Sequence, residues 1–555
     1  MNRLGRQVPI RVGLRAAAAV GAAAGAVVAP SVAQCQLAKA VASDGGAIDI
    51  FGERVAAGPF GVMVGARRHS HHYERSGGVY VFENTVAGLS QVVELTFLPG
   101  EGVGFGKSVA VQDALAAVGA VGYWPTVFER RAGAWERIQQ LRPVGGFPTE
   151  FGAAISVDDT GIVVGAPEDS NENGGGAGSA YVFERDPNGV WLQSAKLLAS
   201  DGTGGDALGT SVAIHDDVIV VGAPEDDPFG LFNTGSAYVF ERDPNAGWAE
   251  TAKLLPDQPS FLQSFGEAVA ALADVVMVGA FFDNTQEPYT GAVYVYERDG
   301  AGGWLLTERL TASDGGNAHF FGISLALDGD LAVIGAENAD THIENTGAAY
   351  VFHRQPDGSW VEVGKVFAAD GAFQDEFGRS VALSGNLAVV GAPFHDIVDS
   401  GGNTQVDAGA AYVFAVGPDR DENGVMDVCE CRAAVEGVGA ASGDDQSRDR
   451  QGAVEGSPRR EGRDGNLVPA VGISSQGYGG GGGFVASPDL DLDQRVGMGD
   501  LLILLANFGH DRDNPPAGHS PPHAALHEYG DLDLDQDIDL ADLALMLAAY
   551  DRACE

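Results

Sequence analysis

The chain contains 555 residues, and its 77 acidic against 33 basic side chains give a formal net charge of −44. This length allows several domains. The negative charge excludes nucleic acid and anionic membrane surfaces as natural partners, and it favours divalent cations or basic molecules. Beyond the N-terminal segment, no apolar run approaches the ~20 residues that span a bilayer.

Residues 1–33 are predicted to be a secretory signal peptide. Four arginines precede an Ala/Val-rich core at residues 16–29, and Ser31-Val32-Ala33 forms a small-x-small cleavage site. Cleavage there leaves Gln34 first, and Gln34 is a poor residue before a lipidated cysteine. We therefore expect an exported protein, secreted or on the cell surface, rather than a lipoprotein.

Seven copies of one sequence pattern follow, between residues 51 and 414. Each copy opens with Phe-Gly or Leu-Gly, places Gly-Ala 14 residues after the opening residue, and closes with an aromatic strand, most often Tyr-Val-Phe. The opening residues are Phe51, Phe105, Phe151, Leu208, Phe265, Phe321 and Phe377. A period of 46 to 57 residues with several short β-type runs predicts a mainly β fold, a seven-bladed β-propeller with one blade per repeat over residues 34–416.

Each repeat is predicted to supply four strands. In the fourth repeat these are residues 211–214, 218–222, 236–240 and 248–255, which are rich in Val, Ile, Tyr and Phe and separated by turn-forming residues. We expect the Gly-Ala glycines to lie where neighbouring blades approach closely. The opening Phe or Leu is expected to wedge between blades as structural core.

The sequence also predicts how the ring closes. A Lys-Leu-x-Ala-Ser-Asp-Gly tail ends the fourth strand at residues 196–202, yet no fourth strand follows the seventh Tyr-Val-Phe. A stray copy of the tail stands before the first repeat, at residues 39–45. The N-terminal strand should therefore complete the last blade and leave no open sheet edge.

Four cysteines in an exported protein allow two disulfide bonds. Cys35 directly precedes the closing strand, and Cys429 and Cys431 follow the last blade. We therefore predict that Cys35 pairs with Cys429 or Cys431, which leaves Cys554 as the candidate for the remaining partner.

The segment after the propeller contains a candidate calcium loop and then a tether. In residues 417–431, an acidic run has the Asp, Asp, Asn, Gly spacing of a calcium loop, but no helix follows it, and a plain acidic turn is equally compatible. Its candidate ligands are Asp419, Asp421, Asn423 and Asp427. Residues 432–488 are rich in Gly, Ser and charge, so they are predicted to be a disordered linker.

Residues 489–555 contain two acidic twelve-residue loops that are 42 residues apart. The candidate calcium ligands are Asp489, Asp491, Asp493, Arg495 through its backbone carbonyl, and Asp500 in the first loop, and Asp531, Asp533, Asp535, Asp537 and Asp542 in the second. Oxygen ligands at this spacing suit Ca²⁺. Each loop runs into an i, i+3, i+4, i+7 apolar stripe, which predicts a small α-helical, duplicated EF-hand-like domain. Gln494 and Gln536 depart from the usual glycine at position 6, and aspartate stands at position 12 in place of the usual glutamate.

Two family resemblances follow from these motifs. The repeats resemble the FG-GAP repeats of integrin α-subunit heads, which implies a seven-bladed propeller used for adhesion or ligand binding, commonly with calcium in its loops. Here the 14-residue spacing leaves only tight turns such as Asp216-Asp217, so no such loop fits. The C-terminal pair resembles a type I dockerin, which implies docking onto a cohesin-like partner. The dockerin recognition pair, usually Ser-Thr, is Met498-Gly499 and Leu540-Ala541 here.

We therefore predict a secreted or cell-surface calcium-binding protein. Its propeller binds an extracellular protein or glycan through rim loops, and its dockerin-like module docks or anchors it. The alternative is a carbohydrate-active or polysaccharide-degrading component of an extracellular complex, and a third reading is a purely structural envelope component. The sequence has no Gly-x-Ser-x-Gly, no His-Glu-x-x-His and no acid pair that stands apart, so no catalytic residue is predicted.

One rim loop in the first repeat departs from the acidic character of the chain. Its basic and aromatic residues are Arg67, Arg68, His69, His71, His72 and Tyr73. A transition-metal site is one interpretation, but a solvated loop is favoured. The rim acids at residues 168–173 and 225–227 are expected to line the same edge of the propeller.

Overall fold

The computed structural model describes residues 36–418, except 71–74, 86–87, 98–101, 244–246, 285–287, 342, 344 and 399–401. Within these ranges the chain forms thirty strands and no helix. Seven antiparallel sheets of four strands account for all strands but two, and those two form a small hairpin. The predicted seven-bladed propeller is confirmed.

The first strand, β1 (Gln36–Ala40), precedes the blades in the chain. Blade 1 contains β2 (Arg54–Gly58), β3 (Gly61–Ala66), β4 (Gly78–Thr85) and β5 (Gly88–Leu95); blade 2 contains β6 (Val109–Gln112), β7 (Leu115–Ala120), β8 (Tyr123–Arg131) and β9 (Ala134–Gln140). Blade 3 contains β10 (Ile155–Val157), β11 (Ile162–Ala166), β12 (Ser179–Arg185) and β13 (Trp191–Leu197); blade 4 contains β14 (Ser211–His215), β15 (Val218–Ala223), β16 (Ser236–Asp243) and β17 (Gly247–Leu254). Blade 5 contains β18 (Phe265–Ala271), β19 (Val275–Ala280), β20 (Ala292–Arg298) and β21 (Trp304–Leu310); blade 6 contains β22 (Phe321–Asp328), β23 (Leu331–Ala336), β24 (Ala348–Arg354) and β25 (Trp360–Val366). Blade 7 contains β26 (Ser380–Ser384), β27 (Leu387–Ala392) and β30 (Ala410–Ala415), and the small hairpin in its loop is β28 (Ile397–Val398) with β29 (Thr404–Gln405).

The hydrophobic core lies between the blades. Every residue of β15 is buried, because this strand is covered on both faces by neighbouring sheets. The outer strand β13 instead alternates, with Trp191 buried and Leu192 exposed, as expected for an edge strand with one solvated face. Seven apolar clusters result, each formed by two adjacent blades.

The opening Phe-Gly and the Gly-Ala pair meet at every blade interface. Phe265 is fully buried, and its ring packs edge-on against Tyr294 at 5.3 Å. A Cβ atom on Gly222 of blade 4 would lie 1.9 Å from the carbonyl oxygen of Gly266 in blade 5. The predicted wedge and close approach are both confirmed, since any side chain at this glycine would force the two backbones apart.

The N-terminal strand completes blade 7, as the sequence predicts. β1 pairs antiparallel with β30, with Lys39 opposite Tyr412 and Ala40 opposite Ala411. A parallel bridge between Phe51 and Gly409 then joins blade 7 to blade 1. The ring is therefore closed by a blade that combines strands from both ends of the propeller, and residues 41–53 connect its N-terminal strand to blade 1.

The propeller has two distinct ends. We call the end with the β2–β3-type hairpins and the β4–β5-type hairpins the lower face. The upper face carries the loops between the second and third strand of each blade and the connectors between blades. β30 runs from the upper to the lower face, where the Val416 amide donates to the carbonyl of Asn386. The described part of the chain therefore ends at the lower face.

Candidate recognition face

The connectors on the upper face are fixed by carboxylates. Asp201 lies in the connector that follows blade 3 and accepts hydrogen bonds from Tyr238 Oη and Lys253 Nζ of blade 4, both at 2.8 Å. Asp314 makes the same contacts with Tyr350 and Lys365 of blade 6, at 2.6 and 2.8 Å. The Ser-Asp-Gly tail noted in the sequence thus clamps each such connector to the following blade.

A second carboxylate is buried beneath this clamp. Asp226 lies four residues after Gly222 and accepts from Tyr238 Oη at 3.1 Å and from Lys253 Nζ at 2.8 Å. Burial acts to lower the pKa of Lys253, but the carboxylates of Asp201 and Asp226 outweigh this effect and raise that pKa above its ordinary value. Burial and then Asp226 raise the pKa of Tyr238 above its ordinary value. This polar network is structural and holds the upper loops in place.

The rim acids at residues 168–173 and 225–227 lie in upper-face loops, as expected, but they differ in exposure. Asp169 and Asp226 are buried and paired with Lys196 and Lys253. Their neighbours Glu168, Glu225 and Asp227 are exposed. The buried aspartates are held by side chains of their own blade, Asp169 by Ser179 and Lys196 and Asp226 by Ser236 and Lys253.

His69 is also buried, so the solvated-loop interpretation is wrong for this residue. Its Nδ1 lies 2.8 Å from Asp49 Oδ2, and this hydrogen bond is the largest of the effects that raise the pKa of His69. His395 occupies the same position in blade 7 and contacts Asp375 at 2.6 Å. Within the part of the chain that the structure describes, no group of three or more His, Cys, Asp or Glu side chains is arranged to hold a metal ion.

The central channel is lined by the first strand of each blade. A cavity of about 570 Å³ opens toward the lower face, with Asp113, Asp216 and Asp328 at its edge. At the upper mouth, Arg379 donates to Glu337 at 2.7 Å. Burial and then Glu337 raise the pKa of Glu376 to about 7. Glu337 and Arg379 therefore neutralise each other at this mouth.

An aromatic surface covers the upper loops of blades 4 and 5. We define it by Phe232, Phe261, Phe281, Phe282, Tyr289 and Phe320. Phe232 and Phe261 are 55% and 57% exposed, with ring centroids 5.9 Å apart. In the next sector, Phe282 packs against Tyr289 at 5.5 Å and against Phe320 at 5.3 Å.

Sequence analysis missed this surface. The only signal was local, because Phe281 stands where several repeats have proline after Gly-Ala, and Phe232 lies in an extended loop. Clustered aromatic side chains in solvent are uncommon on monomers and typically mark a binding surface. The exposed carboxylates of Glu225 and Asp227 lie in the same blade 4 loop.

The repeats match the FG-GAP repeat model six times, at residues 35–82, 142–183, 191–240, 248–296, 304–352 and 360–414. The chain belongs to the FG-GAP repeat family. Each match begins at or near a fourth strand and ends in the third strand of the next blade, so it spans a blade interface. Most of blade 2 lies outside the matches. In this blade Thr126 of the third strand pairs with Val118 of the second strand. The other blades have a tyrosine at the position of Thr126, as in the pair of Tyr238 with Val221.

Two further comparisons were found for this FG-GAP chain. Mouse (Mus musculus) integrin alpha-7 is 32% identical over 128 residues, which cover 23% of this chain and 10% of that protein. The chain thus spans about a tenth of the length of this relative. A computationally designed protein, Ika8, aligns with 69% of this chain and all of its own, at 15% identity and a TM-score of 0.40.

The predicted calcium ligands all lie outside the described residues. This holds for both C-terminal loops and for Asp419, Asp421, Asn423 and Asp427. His71, His72 and Tyr73 of the basic loop are likewise outside them, while Arg67 forms an ion pair with Glu53. The described part of the chain contains no helix, and therefore no helix that could span a membrane.

Proposed function

We propose that this FG-GAP protein is an exported recognition protein whose upper face binds an extracellular macromolecule, protein or glycan. The observation that carries the proposal is the aromatic surface of blades 4 and 5. Exposed rings such as Phe232 and Phe261 offer large contact areas at little entropic cost, both to apolar side chains and to sugar faces. The family relationship to integrin alpha chains supports an extracellular recognition role.

The scaffold beneath this surface is preorganised. On the lower face, an arginine of one blade pairs with a glutamate of the preceding blade at five interfaces. The pairs are Arg130–Glu83, Arg185–Glu129, Arg242–Glu184, Arg298–Glu241 and Arg354–Glu297. With the connector clamps on the upper face, these contacts limit the ordering cost that binding would otherwise include.

The C-terminal module is proposed to act as a calcium-binding anchor. Its support is the duplicated ligand spacing from Asp489 and Asp531. The described chain ends at the lower face, which supports attachment of the linker predicted at residues 432–488 on the side opposite the aromatic surface. A cohesin-like protein is the proposed docking partner.

We propose a binding role rather than catalysis. Glu337 at the channel mouth is paired with Arg379 at 2.7 Å, so this carboxylate is not free to act as a general base. A carbohydrate-active enzyme remains the alternative that the binding assay below addresses, because turnover of an arrayed glycan would reveal it.

The test compares two double variants of the full chain on extracellular-protein and glycan arrays. Phe232→Ala with Phe261→Ala removes the exposed rings of the aromatic surface. Leu305→Ala with Val361→Ala removes exposed apolar side chains, 59% and 47% accessible, from outer strands away from the upper loops. We expect the first variant to lose at least tenfold in affinity for any ligand found, and the second to match the wild type. Equal binding by all three proteins would refute the assignment of the upper face.

A further inference from the structure

A second concave site lies where the ring closes. A cavity of about 560 Å³ is lined by three segments that are remote in sequence. Lys39 and Val41 come from β1 and its connector, Asp370 and Ala372 from the connector into blade 7, and residues 395–398 from the blade 7 loop. Its volume is in the range of small-molecule sites, and all three segments belong to the upper face.

The loop that forms one wall departs from the repeat pattern. Among the described residues, β28 and β29 are the only paired strands outside the blades. Ile397 and Val398 belong to this hairpin, and Val398 is 65% exposed. Within the described ranges, a hairpin of this kind beside a cavity occurs in blade 7 and is not needed to build a propeller.

Lys39 and Asp370 of the cavity are paired with each other, and Asp396 is the other carboxylate of the lining. Lys39 Nζ donates to Asp370 Oδ2 at 2.6 Å and to His395 Nε2 at 2.8 Å. Because lysine has only donors, His395 accepts through Nε2 and donates through Nδ1 to Asp375, the arrangement of a neutral imidazole. An anionic ligand would have to compete with Asp370 for Lys39 and would meet the Asp396 carboxylate, and a cationic ligand would have to lose its hydration for a single exposed carboxylate, so a neutral ligand is favoured.

The remaining hydrogen-bonding capacity is both donor and acceptor. Lys39 has three ammonium protons, two of which serve the contacts above. Asp396 is exposed, and its Oδ1 accepts from the Asp407 amide at 3.0 Å. A carboxylate has two oxygens, so Asp396 retains capacity to accept a further hydrogen bond. Hydroxyl groups can satisfy both kinds of partner at once.

Aliphatic side chains complete the cavity. Val41, Ala372, Ile397 and Val398 present apolar surface next to these polar groups. A pyranose ring combines the required features, because it is neutral, bears several hydroxyls and has an apolar C–H face. We propose that this closure pocket binds a neutral sugar residue of an extracellular glycan. The inference rests on the proposed recognition function and names the chemistry of its ligand.

The test uses saturation-transfer NMR of the full-length protein with methyl glycosides of glucose, galactose, mannose and N-acetylglucosamine. Glucuronate, glucosamine and free glycine serve as charged comparison probes. Val398→Arg should fill the pocket, whereas Val406→Arg places the same side chain on the same loop outside the lining, at a position 51% exposed. Asp396→Asn removes the carboxylate acceptor and keeps an oxygen for the Asp407 amide.

We expect saturable binding of at least one neutral glycoside by the wild type and by Val406→Arg. Val398→Arg should weaken it at least tenfold and Asp396→Asn about threefold, with unchanged thermal unfolding in all three variants. Binding of no neutral glycoside, equal binding by Val398→Arg, or preference for a charged probe would each overturn the proposal. The aromatic-surface variants report separately on macromolecular recognition, so failure of the pocket and failure of the upper face are distinguishable.

Discussion

The substitution Gly222→Ala tests the central packing feature of this propeller. The added Cβ would lie 1.9 Å from the Gly266 carbonyl oxygen and 2.4 Å from Ser211 Oγ. The first contact is more than 1 Å below the 3.0 Å that real Cβ atoms keep, and it is made to backbone, so no side-chain rotation relieves it. Blades 4 and 5 would have to separate across the apolar cluster that contains Phe265.

We expect this change to lower the free energy of unfolding by ~3 kcal/mol or more, at the upper end of overpacking effects. Gly300→Ala is the matched control, because a Cβ there meets nothing within 4 Å and its φ is not in the left-handed region. That change should be neutral or slightly stabilising, by up to about 1 kcal/mol. Urea denaturation followed by tryptophan fluorescence measures both. Equal midpoints for the two variants would refute the close approach of blades.

Three further outcomes are expected. Lys253→Met should cost ~3 kcal/mol at neutral pH, because it leaves the buried Asp226 without its cation. Folding raises the pKa of Lys253, so the difference in unfolding free energy between wild type and variant should shrink as pH rises above 10.5 through the raised value. Denaturation curves of both proteins across pH measure this difference, because buried tyrosines such as Tyr238 lose stability in both at alkaline pH; a difference that stays constant to the highest pH contradicts the role of Lys253. Peptide mapping of the non-reduced protein should find Cys35 linked to Cys429 or Cys431; a free Cys35 thiol contradicts that pairing. Calcium added to the isolated fragment 488–555 should induce helix, measured by circular dichroism. The double variant Asp489→Ala with Asp531→Ala should raise the calcium concentration at the midpoint of this transition at least tenfold. An unchanged midpoint in the double variant, or no calcium response in the parent fragment, rejects the proposed loops.

Sequence periodicity was sufficient for the scaffold because each blade repeats the same local requirements. In the fourth repeat, the predicted strands differ from β14 to β17 by no more than three residues at any boundary. The stray tail at residues 39–45 also identified the closing strand, since a missing element and a spare copy of it have only one consistent placement. Glycine at 222 could be assigned to a close approach, but its partner, Gly266, could be known only from the packed blades.

The aromatic surface and the closure pocket, the two proposed binding surfaces, depend on contacts between segments that are far apart in the chain. Asp226 and Asp227 are neighbours with the same side chain, yet the first is buried and paired with Lys253 and Ser236 from the later strands of the blade, whereas the second is exposed. Phe232 and Phe261 form one exposed pair only after two loops meet. The closure pocket likewise needs Lys39, Asp370 and residues 395–398 together. The sequence determined the repeating unit, the strand order within each blade and the closure of the ring, because these follow from local sequence pattern. The tertiary structure decided which loop residues are buried and which face solvent, because exposure depends on the other segments that pack against a residue.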